Sequence, residues 1–381
     1  MIIGIDASRA VKTQRTGTEG YAYFLINALI PLAQQAGHCL RLYFNGPPPP
    51  DLFPSMTPEC EAQVEARVLP FPRLWTHWRL ARELHADPPD VFFTPAHVIP
   101  LTYQRPSVAT VHDLGYHHFP DTHTRSQLWY LQWSTRHNGR ASRLVIADSL
   151  ATRQDLLHFY GTDPAKVRVV YPGVDPDLHP VEDTVAITAV LRKYGVTPPY
   201  LLYLSTLQPR KNLVRLIRAY VQSGAPHQLV IAGKKGWLAE PILDEIFHLD
   251  IAIAKKIIMP GFVPNEDKGA LISGATALLY PSLYEGFGFP LLEAQVCGTP
   301  ALAANTSSLP EIAGESALLV NPLDVNAIAD AIRQLTRDPL LRHELVQKGF
   351  ENVQRFTWAA TAQQVLAVLE TAVAIDVTRT G

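Results

Sequence analysis

Cysteine is scarce in this chain. Of 381 residues only Cys39, Cys60 and Cys297 are cysteines. They are far apart, odd in number and in no Cys-x-x-Cys pair, which excludes a disulfide framework and a zinc knuckle and fits a reducing cytosol. Charge is also sparse: Lys and Arg total 33 against 35 Asp and Glu, a net charge of −2. A balance so close to neutral provides no field to draw nucleic acid to the whole molecule, so no nucleic-acid partner is expected. No stretch approaches 18 apolar residues, the short run from Met1 to Ile5 meets Asp6 with no basic segment before it, and neither a membrane span nor a signal peptide is expected. A dinucleotide-binding Gly-x-Gly-x-x-Gly is absent, and no Asp-x-Asp metal motif is assigned.

What the chain does have is 47% hydrophobic residues and a length suited to two domains. Short, continuously apolar runs alternate with helical patterns from Ile2–Ile5, through Ser107–Val111 and Tyr200–Leu204, to Ala301–Ala303. That alternation predicts parallel, doubly wound α/β sheets covered by helices on both faces. Structure-breaking residues between Gly173 and Thr197 mark the boundary. The expected plan is an N-terminal Rossmann-like domain over 1–180, a C-terminal one over 190–356, and a helix over 357–381 that crosses back to the first. Two such domains would face one another across a cleft at the carboxyl ends of their strands.

Four segments carry candidate chemistry. In Tyr280-Pro-Ser-Leu-Tyr-Glu285-Gly-Phe-Gly-Phe-Pro290-Leu-Leu-Glu293, a buried strand runs into a glycine-containing loop and Pro290 opens a helix, where backbone N–H groups can meet an anion. Glu285 is placed in the loop and Glu293 on the first helical turn. Arg210 and Lys211 follow another strand at a helix start, where adjacent cations oppose the helix dipole and favour an anionic partner. His112 ends a strand in Val111-His-Asp-Leu114, and Gly17 sits in the opening turn Thr16-Gly-Thr-Glu-Gly20. The histidines, including His117, His118 and His123, match no metal-ligand spacing, and no metal is assigned. The stretch from Arg73 to Arg82 mixes arginines with Trp75 and Trp78, as an interfacial helix would; core packing and peripheral membrane contact are its alternative readings.

The segment from Tyr280 to Pro300 resembles the Glu-x7-Glu motif of glycosyltransferase family 4, retaining enzymes of GT-B architecture, and nearly the whole chain follows that plan. Its nearest likeness within the family is to bacterial polysaccharide mannosyltransferases. The resemblance implies transfer of a hexose from a nucleotide diphosphate sugar to a glycan or lipid-linked glycan hydroxyl. By position, it implies that Glu293 holds the ribose, that Glu285 contacts the donor sugar, and that Arg210 and Lys211 clamp the diphosphate. The amides of Gly286, Phe287, Gly288, Phe289 and Leu291 would hold sugar and phosphate oxygens. His112 would lie beside the reaction centre, and Gly261, Phe262 and Val263 beside the base. No cofactor or divalent metal is implied, and GDP-mannose is favoured over UDP-hexoses. The expected location is the cytoplasm or the inner face of the membrane. The alternatives are a nucleotide-sugar epimerase or hydrolase of the same fold, and a binding protein that has lost turnover.

Overall fold

The computed structural model describes residues 1–12, 15, 17–55 and 63–380; Thr16 and Cys60 lie outside the described residues. The chain divides into two compact units. The first comprises Met1–Leu114, Arg125–Gly173 and Phe356–Gly381, and the second comprises Gly115–Thr124 and Val174–Arg355.

The first unit holds seven strands: β1 (Ile2–Asp6), β2 (Cys39–Phe44), β3 (Val64–Val68), β4 (Val91–Thr94), β5 (Ser107–Val111), β6 (Leu144–Ala147) and β7 (Val167–Val169). They form one parallel sheet in the order β3-β2-β1-β4-β5-β6-β7. Every residue of β4, β5 and β6 is buried, which is why these strands read as unbroken apolar runs. β3 escapes that signal. It is an edge strand, VEARV, whose Glu65 and Arg67 pair with each other and, through Arg41, with β2.

The final helix, Trp358–Thr380, packs on the helix Gly17–Gln35 and on β4 and β5. Trp358 stacks on Phe24 at 5.6 Å and meets Tyr21 edge-on, and Thr361 donates to the Tyr171 carbonyl at 2.8 Å. The stretch 339–375 has the length and mean hydropathy of a membrane span. It comprises the separate helices Pro339–Val353 and Trp358–Thr380, and Ala362, Val365, Leu369 and Ala372 of the second are fully buried. Its hydropathy is that of a core helix.

The second unit holds β8 (Tyr200–Leu204), β9 (Gln228–Ala232), β10 (Ile257–Gly261), β11 (Ala277–Tyr280), β12 (Ala301–Ala304) and β13 (Ala317–Val320), parallel in the order β10-β9-β8-β11-β12-β13. β13 goes unread in the sequence because its residues are half exposed at the edge. The apolar run Ile257–Met259 predicts a strand with Gly261 in the loop beyond it, but β10 continues to Gly261, which ends the strand. The segment Gly115–Thr124 belongs with this unit: His118 stacks on Tyr284 at 4.8 Å, and the Trp237 indole N–H donates to the Thr122 carbonyl.

Chain connection reverses between β1 and β4 in one sheet and between β8 and β11 in the other. Open α/β sheets bind ligands at such reversals, outside the carboxyl ends of the flanking strands.

Candidate active site

Both loops at the reversal of the second sheet carry the expected residues. After β8, the chain makes a short turn, Pro209–Lys211, before the helix Leu213–Ser223. Asn212 sits between them at φ 63°, and its amide donates to the carbonyls of Pro281 and Pro322 at 2.9 and 2.7 Å. This ties the β8 loop to the loop that follows β11.

Lys211 therefore lies against Glu285. Its ammonium donates to both carboxylate oxygens, at 2.6 and 2.8 Å, and to the Tyr280 hydroxyl at 3.1 Å. Tyr280 in turn donates to Glu285 Oε1 at 2.7 Å. The Arg210 guanidinium donates to the Tyr284 carbonyl and approaches Glu285 Oε2 at 3.4 Å. Burial alone would push the Glu285 carboxyl up, but the attraction of Lys211 and then Arg210 outweighs it and holds the pKa at about 2. Glu285 is thus an anion at neutral pH. It can accept a hydrogen bond or oppose positive charge, and it has no proton to give. The same burial, with Glu285 adjacent, pushes the Tyr280 phenol well up. Tyr280 was not singled out in the sequence, although as the last residue of β11, five before Glu285, it could have been.

The Glu285 amide donates to Ser307 at 2.9 Å, and Ser308 donates to the carbonyls of Glu285 and Phe287 at 3.0 and 2.7 Å, fixing the loop. Gly288 has φ 118°, and a Cβ there would stand 2.7 Å from Leu309, so glycine is required. The next helix is Phe289–Val296. Glu293 is its fifth residue, one residue further in than expected, because the helix starts at Phe289 rather than Pro290. Of the amides expected to face a ligand, that of Leu291 is already engaged, donating to the Gly288 carbonyl at 3.0 Å.

Glu293 is separately paired. Lys268, from the helix Asn265–Ser273, donates to its carboxylate, and Asp175 is close enough to feel both charges. Burial pushes the Asp175 carboxyl up. Lys268 has no sequence signal beyond its place on the helix after β10. Asp175-Pro-Asp177 does have Asp-x-Asp spacing, but there Asp175 accepts from the Asp177 amide at 3.0 Å in a turn. Among the described residues, no group of three or more His, Cys, Asp or Glu is arranged to hold a metal.

Gly261, at φ 77°, accepts from the Gly233 amide at 2.8 Å, and the Lys234 ammonium lies 4.6 Å from the centre of the Phe262 ring. Val263 is buried. These groups share the carboxyl end of the sheet with the Glu285 cluster.

In the first unit, His112 follows β5. Its Nδ1 is 2.6 Å from Asp148 and its Nε2 is 2.8 Å from the Pro95 carbonyl. The Pro95 carbonyl can only accept, so Nε2 carries a proton, and Nδ1 shares a hydrogen bond with the Asp148 carboxyl, which burial pushes up. Burial pulls its pKa down, but Asp148 more than compensates and raises it. Asp148 is the partner the sequence did not reveal. Gly17 begins the helix Gly17–Gln35, whose Tyr21 packs edge-on against His112 at 4.9 Å.

Comparison with known proteins matches residues 16–178 to the family model "Glycosyltransferase Family 4" and residues 191–352 to "Glycosyl transferases group 1". The chain belongs to glycosyltransferase family 4. This glycosyltransferase is 28% identical over 281 residues to O-antigen chain mannosyltransferase B of Escherichia coli, covering 72% of this chain and 73% of that protein. Its fold matches sucrose-phosphate synthase from Thermosynechococcus elongatus with a TM-score of 0.76 at 21% identity, covering 98% and 99% of the two chains. It also matches Anabaena HepE in complex with UDP-glucose, with a TM-score of 0.71 at 19% identity, covering 97% and 99%. The architecture is GT-B, as these structures share it.

Proposed function

We propose that this glycosyltransferase moves a hexose, mannose in preference, from a nucleotide diphosphate sugar to a hydroxyl of a glycan or lipid-linked glycan, with retention at the anomeric carbon and without a divalent metal. The observation that carries this reading is the buried Lys211–Glu285–Arg210 cluster at the reversal point of the second sheet. As the bond from C1 to the departing oxygen lengthens, negative charge grows on the diphosphate and positive charge on the sugar ring. Lys211 and Arg210 are preorganised for the first, and the permanently ionised Glu285 for the second. Glu293 and Lys268 would hold the ribose side, and the Gly261–Val263 segment with Lys234 the base. Cations already in place take the role a metal has elsewhere. His112, held by Asp148 and the Pro95 carbonyl, would line the reaction centre. The departing phosphate, rather than a side chain, would take the acceptor proton.

GDP-mannose is our preferred donor because the O-antigen enzyme of Escherichia coli is named a mannosyltransferase. A UDP-hexose is the second reading, favoured by the HepE complex with UDP-glucose. A location in the cytoplasm or at the inner face of the membrane belongs to this reading, and the scarcity of cysteine is in keeping with it. Incubation with GDP-mannose and UDP-glucose, with and without a mannose-terminated acceptor, tests this: acceptor-dependent release of GDP and an axial product linkage by NMR are expected. Turnover of UDP-glucose alone would exchange the donor. Release that ignores the acceptor would mean hydrolysis.

A further inference from the structure

The first unit carries a surface that the reaction does not use. Large apolar side chains are normally scattered singly over a protein's exterior. Here Leu74, Trp78 and Trp129 are 66%, 67% and 66% exposed, with Phe71 and Tyr130 also largely open. They come from two elements, the segment 71–82 and the helix Arg125–Ala141. The elements abut through His77 and Trp133, whose rings lie 5.9 Å apart, and Trp133 stacks on Trp129 at 6.3 Å and 10°. The exposed aromatics therefore belong to one continuous surface.

Its charge is one-sided. Residues 68–82 contain Arg73, Arg79 and Arg82 and no acid; residues 122–147 contain no acid either, and Arg125, Arg136 and Arg140 lie on the helix. Of the six, Arg79 is offset by Glu83, at 2.9 Å, while Arg73, Arg82, Arg125, Arg136 and Arg140 are exposed. Such concentration of one sign is unexpected in a chain whose total charge is −2.

We propose that this surface docks on an anionic lipid bilayer. Tryptophan, tyrosine and leucine beside arginines is the composition of an element lying in the headgroup region, where amphipathic rings enter the boundary and guanidinium groups meet lipid phosphates. A second copy of the chain fits poorly, because a two-fold contact would set this basic surface against itself. A glycan fits poorly too, since hydroxyl recognition has no reason to exclude carboxylates. Docking would bring the enzyme to acceptors carried on lipid.

The test is cosedimentation of the full chain with phosphatidylcholine vesicles, with and without phosphatidylglycerol, at low and high salt. Binding to the phosphatidylglycerol vesicles alone is expected, weakening with salt. R73Q/R82Q/R125Q should weaken it roughly a hundredfold, at about fivefold per arginine, and W78S/W129S should remove the part that survives high salt. Equal retention on both vesicle types, no retention on either, or variants that bind like wild type would overturn the proposal. So would ultracentrifugation showing a dimer that W78S/W129S dissolves. All five side chains are exposed, and a melting temperature equal to wild type confirms that a variant is folded. Should a multiple variant melt early, Trp129→Ser alone decides.

Discussion

Replacing Lys211 by Met should expose how strongly the second unit depends on one ion pair. Glu285 is buried, and its pKa is held at about 2 against an ordinary 4.5. At about 1.4 kcal/mol per unit, that depression corresponds to roughly 3 kcal/mol of stability at neutral pH. Breaking a buried pair by removing one partner typically costs about 3–5 kcal/mol, so two independent routes agree on the size. The sign follows from linkage. A carboxyl depressed in the folded state contributes its full stability above the unfolded pKa, here 4.5, and loses it as pH falls toward 2. The penalty of Lys211→Met should therefore be about 3 kcal/mol at pH 7 and less than half that near pH 3. Glu285→Gln in the same chain should recover most of it, because an amide needs no counter-charge and can keep the Tyr280 contact. Amide hydrogen exchange in β8 and β11 is the assay, since it reads the second unit without averaging over the first. A double-mutant coupling below about 0.5 kcal/mol, or a penalty independent of pH, would refute the reasoning.

The two glutamates should separate by calorimetry: Glu293→Gln weakens binding of the free nucleoside diphosphate, whereas Glu285→Gln spares it and lowers transfer. Arg210→Ala should reduce transfer efficiency roughly 10-fold to 150-fold, the size of one charge-assisted hydrogen bond to the leaving diphosphate, as read from initial rates. Transfer should survive a chelator; complete loss restored by magnesium or manganese would contradict the role given to the cations. His112 is raised above 6.5 chiefly because Asp148 outweighs its burial, so its contribution is present below pH 6.5 and is lost as pH rises through the raised value. Denaturation of Asp148→Asn beside wild type should show their stability difference shrinking at alkaline pH.

The sheet-forming runs were legible because burial on both faces leaves no polar residue to interrupt them, as in Ser107–Val111 and Tyr200–Leu204, whose limits the structure repeats. Val64–Val68 was not legible, since an edge strand faces solvent and alternates like a loop. The spacing of Glu285 and Glu293 on one loop and helix is local, and so were the residues that carry the family resemblance. Nothing in the chain's linear order, however, tells that Glu285 meets Lys211 across 74 positions, that Glu293 is answered by Lys268, or that His112 is paired with Asp148. Those pairings depend on which strands lie side by side. Sequence alone determined the elements and the reactive residue types, because hydrophobic period and turn chemistry act over a few residues. The order of strands, with β8 beside β11, decided the charge state of each group, because pKa values follow distances of a few ångströms between segments far apart in the chain.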